Sequence, residues 1–591
     1  NVDTKAFTVG AMTVSGGSFT QSGVNAGANT VASLSVSGGN CKWDDTGAGG
    51  TLSISGNLSV SGGSLAFNKK AVSINGTVAV TGSITLYDLE ILNGKTVSMQ
   101  PSSSLTVLHD LMIRSGGSYT NGSRPLTLGG GAVATGKITD ENGTKQDLGA
   151  VTLSGPAATT KTMGSDLLMT SLSIDASVTL GTGAGPYNLV VTGGLTGAGA
   201  LTASGSETIT VGGNFTVATF TRASSTVILD QSTAAAIGLA GGYTFTNLTV
   251  NKGTAGTTVT PAGNVTVAGT LTLTQGNWIA GGNTIFLTTG NWNSSSANFT
   301  FTQDTSTVRL DAATPTVTQK GSDRFYNLTL QLGGTAASAT LVVDNAFTAA
   351  ASGSGGTLDI SGRSVTVGGA FNLKPGSTGA SLTATGSTVN LNGTSGQALT
   401  TNGQTFNNLT ILNGTKTVTV TGSLTLAGNL DVQANQTLDL ATNNAALSLT
   451  GGNVTDAGSI QTGSSTATVS GTTTGAGSWT AGSGILTFTG TYNLTGALTA
   501  SSTTTNFGDA VTLGSSFNPN SGVVNFQGAV SPQVFTSNGN TLGTMTVNKG
   551  GVGQILRLVG ALTLSNANLT VGTGTLAFNG NTVTLDNPLA N

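Results

Sequence analysis

The chain holds a single histidine, His109, and a single cysteine, Cys41, in 591 residues, so positions able to do chemistry are few. His109 precedes Asp110 and follows Ser102, Ser103 and Ser104. A serine hydrolase needs hydroxyl, imidazole and carboxylate aligned beside an oxyanion hole. His109 and Asp110 read as neighbours on a strand, where successive side chains leave opposite faces, so no triad is expected. One Cys and one His fall short of the usual ligand set of structural zinc. Neither an EF-hand loop nor a GGxGxDxUx calcium repeat occurs. The reading is therefore no enzyme, no cofactor and no metal.

Aromatic and acidic residues give weaker candidates. Trp43, Asp44 and Asp45 stand together near Cys41, a ring and two carboxylates able to hold a sugar or a calcium ion. The plainer reading is a corner loop with an exposed acidic pair. Trp278 and Trp292 both occur as Gly-Asn-Trp, and exposed rings at that spacing would stack on glycans; otherwise they fill a wide interior. Triplets such as Asn247-Leu-Thr249 match glycosylation acceptors, as expected by composition in a chain this rich in Asn and Thr. Thr417-Val-Thr419-Val-Thr421 resembles the flat hydroxyl rows of ice-binding faces, but its valines read as ordinary core.

The elements that must carry these residues follow from composition. Gly (90) and Thr (105) supply a third of the chain, and charged residues only 7%, against about 25% in an average soluble domain. A net charge of −3 leaves no electrostatic footprint for nucleic acid. No apolar run reaches the roughly 18 residues of a membrane-spanning helix. Gly, Thr, Ser, Val and Asn are poor to mediocre helix formers. An all-β protein remains. One cysteine excludes an internal disulfide, and the first residue is Asn with no leader-like segment, which reads as a processed mature chain or a fragment.

Within 555–586, apolar pairs fall at Leu562/Leu564, Leu569/Val571, Leu576/Phe578 and Val583/Leu585, seven residues apart. The i, i+2 pairing puts both members on one face of a strand, with Gly, Asn and Ser as corners. These eight residues form the expected inward ladder. The same rhythm runs through Leu52/Ile54 to Leu89/Ile91 and Val418/Val420 to Leu447/Leu449. Three such strands make a coil of roughly 20 residues, and the whole chain roughly 28–30 coils.

A longer repeat overlies the short one. STVILD at 225–230 leads to FTNLTV at 245–250, STVRLD at 306–311 to YNLTL at 326–330, and STVNLN at 387–392 to FNNLTI at 406–411. GVVNF at 522–526 leads to LGTMTV at 542–547, with echoes at DLEI 88–91 and SLSI 171–174. The intervals between 88, 171, 247, 327, 408 and 544 are 83, 76, 80, 81 and 136. Tandem β-sandwich modules of about 80 residues are the alternative architecture. The 136-residue interval favours a solenoid, which absorbs extra coils where a sandwich cannot absorb half a domain. The expectation is one continuous β-solenoid rod over 1–591, more charged in 1–150 and carrying the ~80-residue super-repeat in 151–591. Eighteen of the 43 charged residues fall in 1–150, and Asp509 is the sole charge between Asp456 and Lys549.

Phrases such as N-L-T-V-N-K-G, G-S-L-T-L-A-G-N-L and S-T-V-N-L-N-G resemble the low-charge repeats of bacterial surface proteins, the filamentous-haemagglutinin-like and autotransporter-like adhesins. The resemblance implies a right-handed parallel β-helix at the cell surface. The functional expectation is a secreted, non-catalytic structural protein in a rod, filament, sheath or adhesin stalk. Its partners would be copies of itself joined end to end, other cell-surface components or glycans. A glycan-binding or carbohydrate-active β-helix is the alternative. It needs carboxylates and rings converging on one cleft.

Overall fold

The computed structural model describes residues 6–22, 29–44, 50–230, 237–253, 257–349, 356–373, 381–565 and 568–586. The chain is all-β, with no helix among the described residues: parallel strands stack into a β-solenoid of about 26 turns of about 21 residues. Strands pair in parallel with those one turn before and after, which excludes sandwich modules. The turns are fewer than expected because some corners are long. The step from Leu111 to its ladder partner Ile138 spans an extra loop between Leu126–Gly129 and Thr135–Asp140. The chain divides into two compact units, Asn1–Phe286 with Ser296–Thr302, and Leu287–Ser295 with Gln303–Asn591.

In the first unit, alternation in each strand builds rows that run from turn to turn. Val31, Ile54, Ile74, Ile91 and Ile113 are successive ladder partners, and all are buried. On another strand column, the outward row reads Thr85, Thr106, Thr127, Thr152, Ser173, Thr196 and Thr216. Branched aliphatics satisfy the inward side, and β-branched hydroxyl residues suit the wetter outward side. Corners stack too. The phrase Val-Ser-Gly-Gly recurs at 14–17, 36–39 and 60–63, and Gly17, Gly39 and Gly63 have φ of +73°, +75° and +75°. A Cβ on Gly63 would lie 2.1 Å from the Gly39 carbonyl oxygen, so both the backbone angle and the space require glycine.

In the second unit the turn is three-sided. Asn408–Ile411, Lys416–Thr421 and Leu424–Leu426 make one turn; Leu430–Val432, Gln436–Asp439 and Leu447–Leu449 pair with them in the next. The repeated phrases acquire a structural meaning here. The two halves of each phrase are the same position in consecutive turns: Thr307–Leu310 pairs with Asn327–Leu330, Thr388–Leu391 with Asn408–Ile411, and Val523–Gly528 with Thr544–Lys549. Those three pairs lie in three different ladders. The interval between phrases is therefore not a whole number of turns, while the 136-residue spacing exceeds the 81-residue one by three whole turns. Each phrase returns on another side.

The residues of the expected inward ladder differ in burial. Leu562 and Leu564 are buried. Leu569 and Val571 stand over buried Met545 and Val547, and Leu576 over Leu556. Yet Leu569, Leu576 and Val583 are only half-buried, and Val571, Phe578 and Leu585 are exposed. They belong to the last described turn, over which no described strand stacks, and an inward side chain is covered only when both flanking rungs are present.

Candidate functional site

The aromatic candidates lie inside the solenoid. Trp43, on Asn40–Asp44, is fully buried, stacked with Phe7 at 5.7 Å and Phe67 at 6.2 Å and tilted against Phe19 at 5.2 Å. Trp278 and Trp292 are each 1% exposed; Trp292 meets the edge of Phe325 at 5.4 Å and donates its Nε1–H to Ser294 Oγ at 3.2 Å. No ring of the three is offered to a glycan. The reason is strand phase: Trp43 lies two residues after buried Cys41, and Trp278 two after buried Gly276, on the inward side. Desolvation pushes the Cys41 thiol up to about 11, so it stays a protonated core group. The Asp44 side chain and Asp45 lie outside the described residues.

The convergence of chemistry-bearing groups is at His109. It lies with Asp110 in the corner between Ser104–Val107 and Leu111–Ile113, not on a strand, so the opposite-face argument does not apply. Its Nδ1 is 2.8 Å from Asp88 Oδ1 and 3.3 Å from Asp110 Oδ1. Asp88 and Asp110 occupy equivalent places in consecutive turns, because Leu89 and Leu111 are ladder partners. A backbone amide holds each carboxylate: Asp110 N–H donates to Asp88 Oδ1 at 2.8 Å, and Lys137 N–H to Asp110 Oδ1 at 2.7 Å. Tyr87 stacks on the imidazole at 5.2 Å and 18°. The ligand atoms of Asp88, His109 and Asp110 all lie within 4.8 Å of one another, and the three residues are half-buried.

Two of the three serines of the hydrolase reading are engaged elsewhere. Ser103 donates to the Gln100 carbonyl and Ser104 to Ser83 Oγ at 2.9 Å. Behind the corner, buried Lys161 donates Nζ–H bonds to Leu108 O at 2.6 Å and Thr135 O at 2.7 Å. Burial pulls its ammonium down to about 8, against the opposing pull of Asp110 and Asp88. Burial, with the two carboxylates, pushes the Tyr87 phenol up. Sequence reasoning passed over Asp88, although the signal was present: Asp-Leu-x-Ile occurs at 88–91 and again at 110–113, one turn later.

Most other polar interior groups serve the backbone. Lys416 donates to the carbonyls of Leu391, Gly393 and Leu412 at 2.8, 2.9 and 2.7 Å. Lys549 donates to Gln527 O at 3.2 Å and Gln533 Oε1 at 2.6 Å. The inward phase of Leu248, Val250 and Lys252, and of Met545, Val547 and Lys549, makes such lysines legible as core positions. Asparagines climb the stack at one corner. The side-chain oxygen of Asn408 accepts the Asn429 amide at 2.8 Å, that of Asn429 the Asn453 amide at 2.9 Å, and that of Asn453 the Thr472 amide at 2.9 Å. Each replaces a strand carbonyl where the ladder breaks for a corner. No helix among the described residues is long and apolar enough to cross a membrane. No protein-family model, curated protein or solved structure matches this chain.

Proposed function

We propose that the chain is a secreted, non-catalytic structural protein, the material of a cell-surface rod, filament, sheath or adhesin stalk of the haemagglutinin-like kind. One observation carries this reading: the interior polar side chains with the strongest bonding capacity, such as Lys161 and Lys416, bond the scaffold's own backbone. The burial of Trp43, Trp278 and Trp292 works against the glycan-binding alternative, which needs rings at the surface. Copies of the same chain and other surface components are its proposed partners. Two experiments test the reading together. Antibody labelling of intact producing cells should decorate their surface, and electron micrographs of the labelled material should show an ordered assembly. Labelling confined to permeabilised cells, or turnover of polysaccharide by the purified chain, would overturn it.

A further inference from the structure

Asp88 and Asp110 stack as like charges at equivalent corners of consecutive turns, an arrangement that destabilises a ladder unless a cation lies between them. The one imidazole in the chain faces both carboxylates. We propose that Asp88, His109 and Asp110 form a binding site for a divalent transition-metal ion of the zinc class, which clamps two consecutive turns together.

The donor set selects the ion. One imidazole nitrogen with two carboxylates suits zinc and its borderline neighbours, whereas calcium and magnesium take oxygen ligands almost exclusively. The geometry is close to what is required. Ligands about 2.1 Å from a zinc ion stand about 3.0–3.5 Å from one another, and the imidazole nitrogen lies 2.8 and 3.3 Å from the two carboxylate oxygens. Small side-chain rotations suffice. The surroundings orient the ligands: backbone amides of Asp110 and Lys137 fix the carboxylates, and Tyr87 fixes the ring plane. A carboxylate that accepts one amide retains lone pairs for an ion. A neutral imidazole that ligates through Nδ1 carries its single proton on Nε2, so the ion takes the place between the ring nitrogen and the two carboxylates. Lys161, behind the corner, sets a positive charge against the ion; the two carboxylates offset it. Half-burial leaves the remaining coordination positions to water.

The test uses the full chain after chelator treatment, with zinc chloride as the probe and calcium chloride as the control. Titration calorimetry should show one saturable zinc site that calcium does not fill. His109→Gln and Asp88→Asn should each weaken it by at least about tenfold, the low end for loss of outer-shell partners alone. Circular dichroism establishes that the variants fold. Imidazole NMR on the unaltered chain gives a second readout independent of any variant, because a single histidine yields a single spin system. Its signals should move to a new position and stop at one equivalent of zinc. Absence of saturable binding overturns the proposal. So does binding that survives His109→Gln at full strength, or imidazole signals that ignore the metal.

Discussion

Asp456 lies wholly inside the solenoid, where its Oδ1 accepts the Gly458 amide at 3.0 Å and its Oδ2 has no hydrogen-bond partner among the described residues. Thr473 Oγ1 and Tyr492 OH are likewise buried without a partner, and Thr473 and Tyr492 follow Val454 in the ladder beside it. Burial penalises the charged carboxylate and pushes Asp456 up to about 7, outweighing the Gly458 bond. The folded chain therefore holds this proton more tightly than the unfolded chain, whose value is near 3.8. The resulting stability is complete below that lower value and is lost as pH rises through about 7. Asp456→Asn should remove this loss and raise stability at pH 8 by on the order of 2–4 kcal/mol. Urea midpoints at pH 5 and pH 8 for both proteins check it; a parental midpoint unchanged between the two pH values would refute the assignment. Lys416→Met should act oppositely. It strips three buried carbonyls of their donor and should cost about 2–4 kcal/mol, read as a lower urea midpoint at pH 7.

A strand of this protein is specified by two alternating residues and a corner, and at that scale the sequence was largely readable. Alternation gave the inward side of Leu89/Ile91 or Leu424/Leu426 because apolar burial depends only on strand phase. The tryptophans obey the same phase, so their burial was available from Cys41 and Trp43 being two residues apart. Corners were harder. The sequence places His109 next to Asp110, but whether both swing to the same side depends on the bend between Val107 and Leu111, which alternation does not describe. Burial at the last described turn was unreadable for another reason, since it depends on what stacks above. A paired substitution separates phase from burial. Val547→Asp should cost several kcal/mol, because the carboxylate enters the interior without a partner. Val571→Asp, directly above it in the ladder and 47% exposed, should cost less than about 1 kcal/mol. Equal losses of melting temperature would mean that Val571 is covered in solution.

Across many turns, the chain depends on neighbours alone. Each rung pairs with the one before and the one after, so stability is close to a sum over adjacent turns. Such an architecture tolerates the loss of whole stretches when the new neighbours match. Deleting 327–407 joins Tyr326 to Asn408 and preserves the Asn-Leu-Thr phrase that pairs with Thr307–Leu310. We expect the shortened chain to keep a β-type circular dichroism spectrum and unfold within a few degrees of the parent. Loss of a cooperative transition would show that the deleted turns carry contacts beyond their neighbours. The displacement of each phrase to another ladder then has a genetic consequence. Recombination between two copies of the phrase rotates everything downstream onto different sides, yet leaves hydroxyls outward and aliphatics inward. Gains and losses of such segments are close to silent for folding, so the number of turns is free to drift among descendants while the cross-section stays fixed.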